Sequence, residues 1–362
     1  MTTTEKQLIA LLRLAINGEQ DAVLSESIDW KAIMVMALEQ SVTGVTFAGI
    51  ERLPSPRMPE MAILMDWVGQ AEKIKTKNDM HHEAVALLAA LMEKNGLAYV
   101  VFKGNAVATC YGEMQNLRSL GDVDFYVPEW DFQRAMEVIE REWGVEIDRW
   151  EADKHYSFNA NKVHYEMHYQ METFGSARYQ ERFSRLIDEY LRRGYLAHFT
   201  ANGQRVAMLS PALDMMLVMK HWMGHLIGTG IGLRQTLDMA MQIKAYRGTV
   251  DVTQLRADLK AIGYKKAFDA VVALAERYYG VRWEEYALPA SSGSMKDADK
   301  LMATIIKNGN FGRSDYHFKK GRLRRMETTY RFFKYSLRFL NLATWDILCM
   351  IPRRVAISIK AH

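Results

Sequence analysis

Apolar residues recur at helical spacing through the first ninety or so positions: Leu8, Leu11, Leu12 and Ala15, then Ala32, Val35 and Leu38 behind a cap-competent Asp29. Leu64, Trp67, Ala71, Leu87, Leu88 and Leu91 extend the pattern toward Lys94. The texture changes at Asn95-Gly96. Residues 97–102 form a short apolar run that reads as a buried strand, and residues 105–111 as a small-residue helix. A second strand is predicted over 122–127 and an amphipathic helix over 130–143. Strands follow at 145–150, 155–160 and 163–171, with Asn159-Ala-Asn161 as a turn. A helix over 178–193 precedes short strands at 195–199 and 205–208. Ser210-Pro211 then caps a return to helices through about Tyr279. The pattern predicts an α+β protein: a helical region 1–95, an α+β core 96–209, a helical region 210–290, and a linker with a basic amphipathic tail over 291–362.

Charge alters the picture at one end only. The 362 residues hold 47 Lys and Arg against 43 Asp and Glu, a formal charge of +4. Residues 313–362 hold twelve basic against three acidic residues, a balance of +9, which leaves −5 for the rest. Tyr330, Phe332, Phe333, Tyr335 and Phe339 interleave with that charge. The tail therefore has the composition to rest on anionic membrane, on nucleic acid or on the protein body. No run approaches the ~20 apolar residues of a membrane span. Two cysteines, Cys110 and Cys349, match no metal or redox spacing, and such sparse use of cysteine predicts a reducing, cytoplasmic location.

The candidate chemistry lies in Lys103-Gly104-Asn105 and in Arg118-Ser-Leu-Gly121-Asp122-Val-Asp124. Strand side chains alternate, so Asp122 and Asp124 share one face while Val123, Phe125 and Val127 share the other. Two carboxylates side by side call for a cation, and Mg²⁺ favours carboxylate oxygens together with substrate phosphates. Gly121 permits a tight entry to the strand, and Gly104 lets backbone approach a ligand closely. Lys103 and Arg118 can neutralise phosphate, Arg118 with a fork of donors. A bare Asp-x-Asp pair reads more readily as a solvated strand edge; here it sits in a mostly apolar strand preceded by a second Gly-containing strand end.

Lys-Gly followed by Arg-x-x-Gly-Asp-x-Asp resembles the uncharacterised bacterial nucleotidyltransferases of the DNA polymerase β-like superfamily. The resemblance runs from about Trp30 to Tyr246. It implies a small mixed-sheet nucleotidyltransferase core flanked by helices, with Gly104 in the turn that holds the triphosphate. It further implies Asp122 and Asp124 as ligands of two Mg²⁺ ions, and a third acid from a later strand, best matched by Glu166. Lys103, Asn105, Arg118 and Gly121 would complete the nucleotide site. His221 and the stretch Gly232-Leu-Arg234 to Asp238 match the family's later helices and would line a substrate cleft with His168. The pattern departs at the turn, where many superfamily members carry Gly-Ser and this chain has Gly104-Asn105.

Other constellations are weaker. His164, Glu166 and His168 alternate on one strand face, but same-face positions are ~6.6 Å apart, too far for three of them to hold one ion unaided. His221 and His225 lie one helical turn apart without a third ligand, so no zinc is expected there. Arg234 and Asp238 are spaced as an intrahelical ion pair. The expected activity is Mg²⁺-dependent transfer of a nucleoside monophosphate from an NTP such as ATP to an acceptor hydroxyl or phosphate on a small molecule, nucleic acid or protein. The alternatives are a nucleotide-binding, antitoxin-like module without turnover and a metal-dependent phosphohydrolase.

Overall fold

A computed structural model describes residues 1–19, 21–149, 154–288, 293–310 and 321–360. Helices α1 (Thr3–Asn17), α2 (Trp30–Glu39), α3 (Thr43–Ile50) and α4 (Met61–Lys94) precede strand β1 (Val100–Val101) and the short α5 (Gly104–Ala108). Then come β2 (Val123–Tyr126), α6 (Glu129–Trp143), β3 (His155–Ala160), β4 (Val163–His168), α7 (Ala177–Arg192), β5 (Ala197–Ala201) and β6 (Gln204–Met208). Helices α8 (Pro211–Ile227), α9 (Leu233–Tyr246), α10 (Val252–Ala261), α11 (Lys265–Tyr279), α12 (Ser294–Asn308), α13 (Gly321–Arg338) and α14 (Thr344–Lys360) follow. Two compact units result: residues 73–173 with 180–218, and residues 1–72 with 174–179 and 219–362.

The first of these units contains a mixed six-stranded sheet in the order β3-β4-β2-β1-β6-β5. β2 runs parallel to β4, with Asp124 opposite Glu166 and Tyr126 opposite His168. β3 and β4 form an antiparallel hairpin that places His155 opposite His168 and Ser157 opposite Glu166. Alternation then assigns the faces. Val123, Phe125, Tyr165, Met167 and Phe158 pack with Leu88 and Met92 of α4 and Ala135 and Ile139 of α6. Phe158 stacks on Tyr165 at 4.9 Å, and the Tyr165 hydroxyl donates to the Ala84 carbonyl at 3.1 Å, so the one polar atom of this ring is satisfied.

Three expected strands are shorter or absent, and the one over 163–171 ends at His168. Only Val100–Val101 of 97–102 joins the ladder, because the Ala98 N–H donates to the Asp131 carboxylate instead. Of 145–150, Asp148 makes a single bridge to Ser157, and Trp150 lies outside the described residues. The expected helix over 105–111 stops at Ala108 and passes into tighter turns through Leu117, where Gly112 takes φ 57°.

The other unit is helical. α1 carries a Thr2–Glu5 capping box and ends at left-handed Gly18. Its buried Leu8, Leu11 and Leu12 face α3 and α11, and Asn17 donates to the Tyr279 carbonyl 262 residues later. The expected linker Ser291-Ser-Gly-Ser lies partly outside the described residues, as do 313–320 of the tail. Residues 361 and 362 also lie outside them, and the described part of the tail from 321 to 360, with α13 and α14, is part of this unit. Phe332, Tyr335, Phe339, Leu342 and Ile347 are buried. The fully buried Asp346 accepts from the Tyr264 hydroxyl at 2.5 Å and the Ser176 N–H at 3.0 Å, with the Lys220 ammonium 3.9 Å away. Among the described residues no helix is long and apolar enough to cross a membrane.

Close approach of α3 to α1 depends on Gly49. A Cβ there would stand 2.2 Å from the Leu11 carbonyl oxygen, whereas one on Gly69 in α4 would meet nothing within 4 Å. Gly49→Ala should cost about 1–3 kcal/mol by overpacking, and Gly69→Ala should stabilise by up to about 1 kcal/mol through helix propensity. Denaturant melts of the two variants check both signs.

Candidate active site

The sheet face opposite the hydrophobic core carries the charge. Asp122, Asp124 and Tyr126 alternate out of β2 on this face. His164, Glu166 and His168 do so from β4, and His155, Ser157 and Asn159 from β3. Asp124 is 8% exposed, and such burial opposes its ionisation. The Lys103 ammonium, 2.7 Å from Asp124 Oδ1, and His168 Nε2, 3.1 Å from the same oxygen, more than offset that cost. They hold the Asp124 carboxyl well below the usual range. Burial alone would lower the Lys103 pKa. Asp124, with Glu172 and Glu166 behind it, raises it above the ordinary lysine value.

Lys103 reaches this position from a strained backbone. Its φ of 54° and ψ of −126° turn the chain sharply between β1 and α5, at a cost on the order of 1–3 kcal/mol for a side-chain-bearing residue. Beyond the turn, Asn105 Nδ2 donates to the Asp122 carbonyl at 3.3 Å. A Cβ on Gly104 would lie 3.5 Å from Arg118 Nη1, so Arg118 is folded against the same turn. Arg118 is buried, donates to the Ser119 carbonyl at 3.2 Å, and has its own carbonyl held by Asn78 at 2.8 Å. Gly121 is exposed at the entry to β2. Asp122 sits at the exposed edge, where partial burial and then the charges of Glu166 and Asp124 raise its carboxyl above the ordinary value.

Glu166 is the hub on the far side. Its Oε2 lies 3.4 Å from His168 Nε2 and 3.5 Å from His155 Nδ1. Strand spacing separates the backbones of Glu166 and His168, but their side-chain ends converge. His164 turns away to Asn159, 3.0 Å from its Nδ1. His155 is a residue that sequence reading missed, because only the β3–β4 register brings it opposite His168. The Lys154 ammonium bonds Glu172 at 3.0 Å. A cleft of about 230 Å³, lined in part by Tyr126, Trp130, Gln170, Glu172, Asp188 and Arg192, begins next to Tyr126 and Gln170, the strand partner and the carbonyl partner of His168.

The structure thus brings together Lys103, Gly104, Asn105, Arg118, Asp122, Asp124, Glu166 and His168. His221, Arg234 and Asp238 belong to the helical unit. There, His221 Nε2 meets His225 Nε2 at 3.1 Å, and the Arg234 N–H donates to the Gln40 carbonyl. Asp238 is buried on α9.

The sequence profile of a family described as "Uncharacterised nucleotidyltransferase" matches residues 26–280, well over half of the chain. No curated protein matches. Among solved structures, an antigenic nucleotidyltransferase-like protein from Paracoccidioides brasiliensis aligns at 14% identity with a TM-score of 0.33, covering 51% of this chain and 92% of that one.

The Lys103–Asp124 pair sets a pH-dependent expectation. Removing the ammonium by Lys103→Met leaves a buried carboxylate without its cation and should cost about 3–5 kcal/mol near neutral pH. The wild-type pair contributes stability above the ordinary carboxylate pKa and loses it as pH falls toward the depressed Asp124 value. In the variant the carboxyl protonates more readily, so acidification relieves its penalty. The difference in melting temperature should therefore narrow as pH falls from 7 to 4, and Lys103→Met/Asp124→Leu should recover much of the loss.

Proposed function

Because the chain belongs to the uncharacterised nucleotidyltransferase family, we propose that it transfers a nucleoside monophosphate from an NTP to a hydroxyl or phosphate acceptor, releasing pyrophosphate, at Asp122, Asp124 and Glu166. The observation that carries this reading is the register of β2 on β4, which sets Asp124 beside Glu166 with Asp122 two residues before Asp124 on the same face. Partial burial, and then the charges of Glu166 and Asp124, raise the Asp122 carboxyl, as expected where carboxylates are gathered to take a cation. Three carboxylates offer the hard oxygen donors that Mg²⁺ prefers, so the residues fit the ion the family implies. Asp122 and Asp124 would hold one Mg²⁺ and Glu166 would share a second. Bound there, the metal supplies charge neutralisation on the triphosphate and activation of the acceptor oxygen.

The chain's own groups do the remainder. Lys103 and Arg118, packed around the Gly104 turn, place positive charge beside the phosphates, and the turn lets backbone approach them closely. Glu166 accepts the acceptor proton as the oxygen attacks the α-phosphorus and pyrophosphate leaves. His168, fixed by Asp124 and Glu166, orients that carboxylate. The cleft beside Gln170 and Tyr126 gives the acceptor room, and most of the rate then comes from positioning and charge.

A second reading, nucleotide binding without turnover, is favoured by one feature: the Lys103 ammonium occupies an Asp124 oxygen. Incubation with each labelled NTP and Mg²⁺ decides between them. Transfer predicts pyrophosphate release and label on an acceptor or on the protein itself, lowered at least about 100-fold by Asp122→Asn or Asp124→Asn with unchanged circular dichroism. Near wild-type turnover in either variant would falsify the site assignment, and tight NTP binding with no pyrophosphate would favour the module. The exposed Lys334 and Arg338 beside exposed Tyr330 and Leu337 offer a second, peripheral contact to anionic lipid or nucleic acid. Co-sedimentation with anionic vesicles or RNA should weaken as salt rises and be lost in Lys334→Glu/Arg338→Glu, while NTP binding persists.

A further inference from the structure

The hairpin of β3 and β4 presents a donor set that hard-metal chemistry does not need. His155 Nδ1, Glu166 Oε2 and a nitrogen of His168 lie within 4.8 Å of one another. The two His–Glu separations are 3.5 and 3.4 Å. Two atoms each 2.1 Å from one tetrahedral ion stand about 3.4 Å apart, so both separations already match a shared ion. The half-buried His155 ring and its partner His168 have centroids 4.8 Å apart on neighbouring strands.

Both imidazoles are prepared for this. His168 Nδ1 lies 3.3 Å from the Gln170 carbonyl, and the ring is wholly buried with Nε2 between Glu166 Oε2 at 3.4 Å and Asp124 Oδ1 at 3.1 Å, so a bound ion would take the place of the proton that Nε2 shares with these carboxylates. A backbone carbonyl behind one ring nitrogen is the usual arrangement for a metal-bound histidine, since it fixes the tautomer and leaves the other nitrogen's lone pair facing the ion. His155 Nδ1 is buried yet makes no hydrogen bond. A buried polar atom without such a bond carries a cost that a ligand removes. Ser157, between them on β3, adds no competing charge.

We propose that His155, Glu166 and His168 form a binding site for one borderline transition-metal ion, such as Zn²⁺ or Mn²⁺, in preference to Mg²⁺. Two imidazole nitrogens and one carboxylate oxygen suit zinc, manganese, cobalt and nickel, whereas Mg²⁺ selects all-oxygen octahedra. Three protein ligands leave a coordination position open, and the site lies where Glu166 faces Asp124. The inference does not depend on nucleotidyl transfer, because it concerns binding of the ion alone.

The test is calorimetric titration of the metal-stripped, full-length protein with Zn²⁺, Mn²⁺ or Mg²⁺, each alone and without nucleotide. One Zn²⁺ and one Mn²⁺ site per chain are expected, with Mg²⁺ at least roughly tenfold weaker. His155→Ala should weaken Zn²⁺ binding by roughly 100-fold or more, beyond the loss of an outer hydrogen-bond partner. His155→Asp, which restores a ligand, should recover part of it. Co²⁺ should give visible ligand-field bands in the wild type and lose them in His155→Ala. Thermal melting without metal should be nearly unchanged in that variant, while the Zn²⁺-induced rise in melting temperature disappears. The proposal is overturned by absence of saturable Zn²⁺ or Mn²⁺ binding, by binding insensitive to His155→Ala, or by Mg²⁺ binding as tightly as Zn²⁺. Zinc lost in His221→Ala but kept in His155→Ala would overturn it equally, by moving the ion to the other histidine pair.

Discussion

A carboxylate placed inside a protein must be matched by a cation, and the charged face of this sheet is organised by that requirement at Asp124. β2 can hold an acid there only because Val123 and Phe125, pointing the other way, anchor the strand in the core. Lys103 supplies the matching charge and accepts an unfavourable backbone conformation to do so. His168 stands on the same oxygen, which in turn fixes its ring beside Glu166. One buried charge therefore positions the turn before α5, the end of β4 and the acid opposite it.

That arrangement has a chemical consequence for the site. The carboxylates of this face form a gradient of availability: Asp124 is ionised and engaged, Glu166 is shared among histidines, and Asp122 is exposed and repelled by both. Under the proposed function, a cation-bearing nucleotide would meet Asp122 first and relieve its repulsion. Displacing Lys103 from Asp124 would then free an ammonium next to the Gly104 turn, where phosphate charge arrives. Ion binding at Asp124 and phosphate binding by Lys103 would in this way be two halves of one exchange.

Much of this was legible in the chain. Alternation alone put Asp122 and Asp124 on one face and Val123, Phe125 and Val127 on the other. The motif from Lys103 to Asp124 pointed to the family whose profile spans 26–280. What escaped depends on pairing between strands. His155 is eleven residues before Glu166; the two strands were legible, but the turn lies at Asn161-Lys162 and not at the expected Asn159-Ala-Asn161, and only that register sets His155 opposite His168. Ala98 looked like strand because its neighbours are apolar, yet a carboxylate on α6 took its N–H. The charge balance of 313–362 suggested a separate tail, but Asp346 finds its partners on Tyr264 and at Ser176. Net charge counts buried and exposed residues alike, so it does not tell a docked helix from a free one.

The contact between Asn17 and Tyr279 also bears on how the chain is made. The helical unit is discontinuous, with the sheet-bearing unit interrupting it. During synthesis at about 5–20 residues per second, α1 emerges on the order of ten to fifty seconds before α11 exists to receive it. Residues 73–218 are complete well within that interval and can fold on their own schedule. Through that wait α2 and α3 can cover part of the Leu8, Leu11 and Leu12 helix, but the share of its apolar surface that α11 takes stays open, a surface that chaperones recognise and that a stalled ribosome would leave exposed.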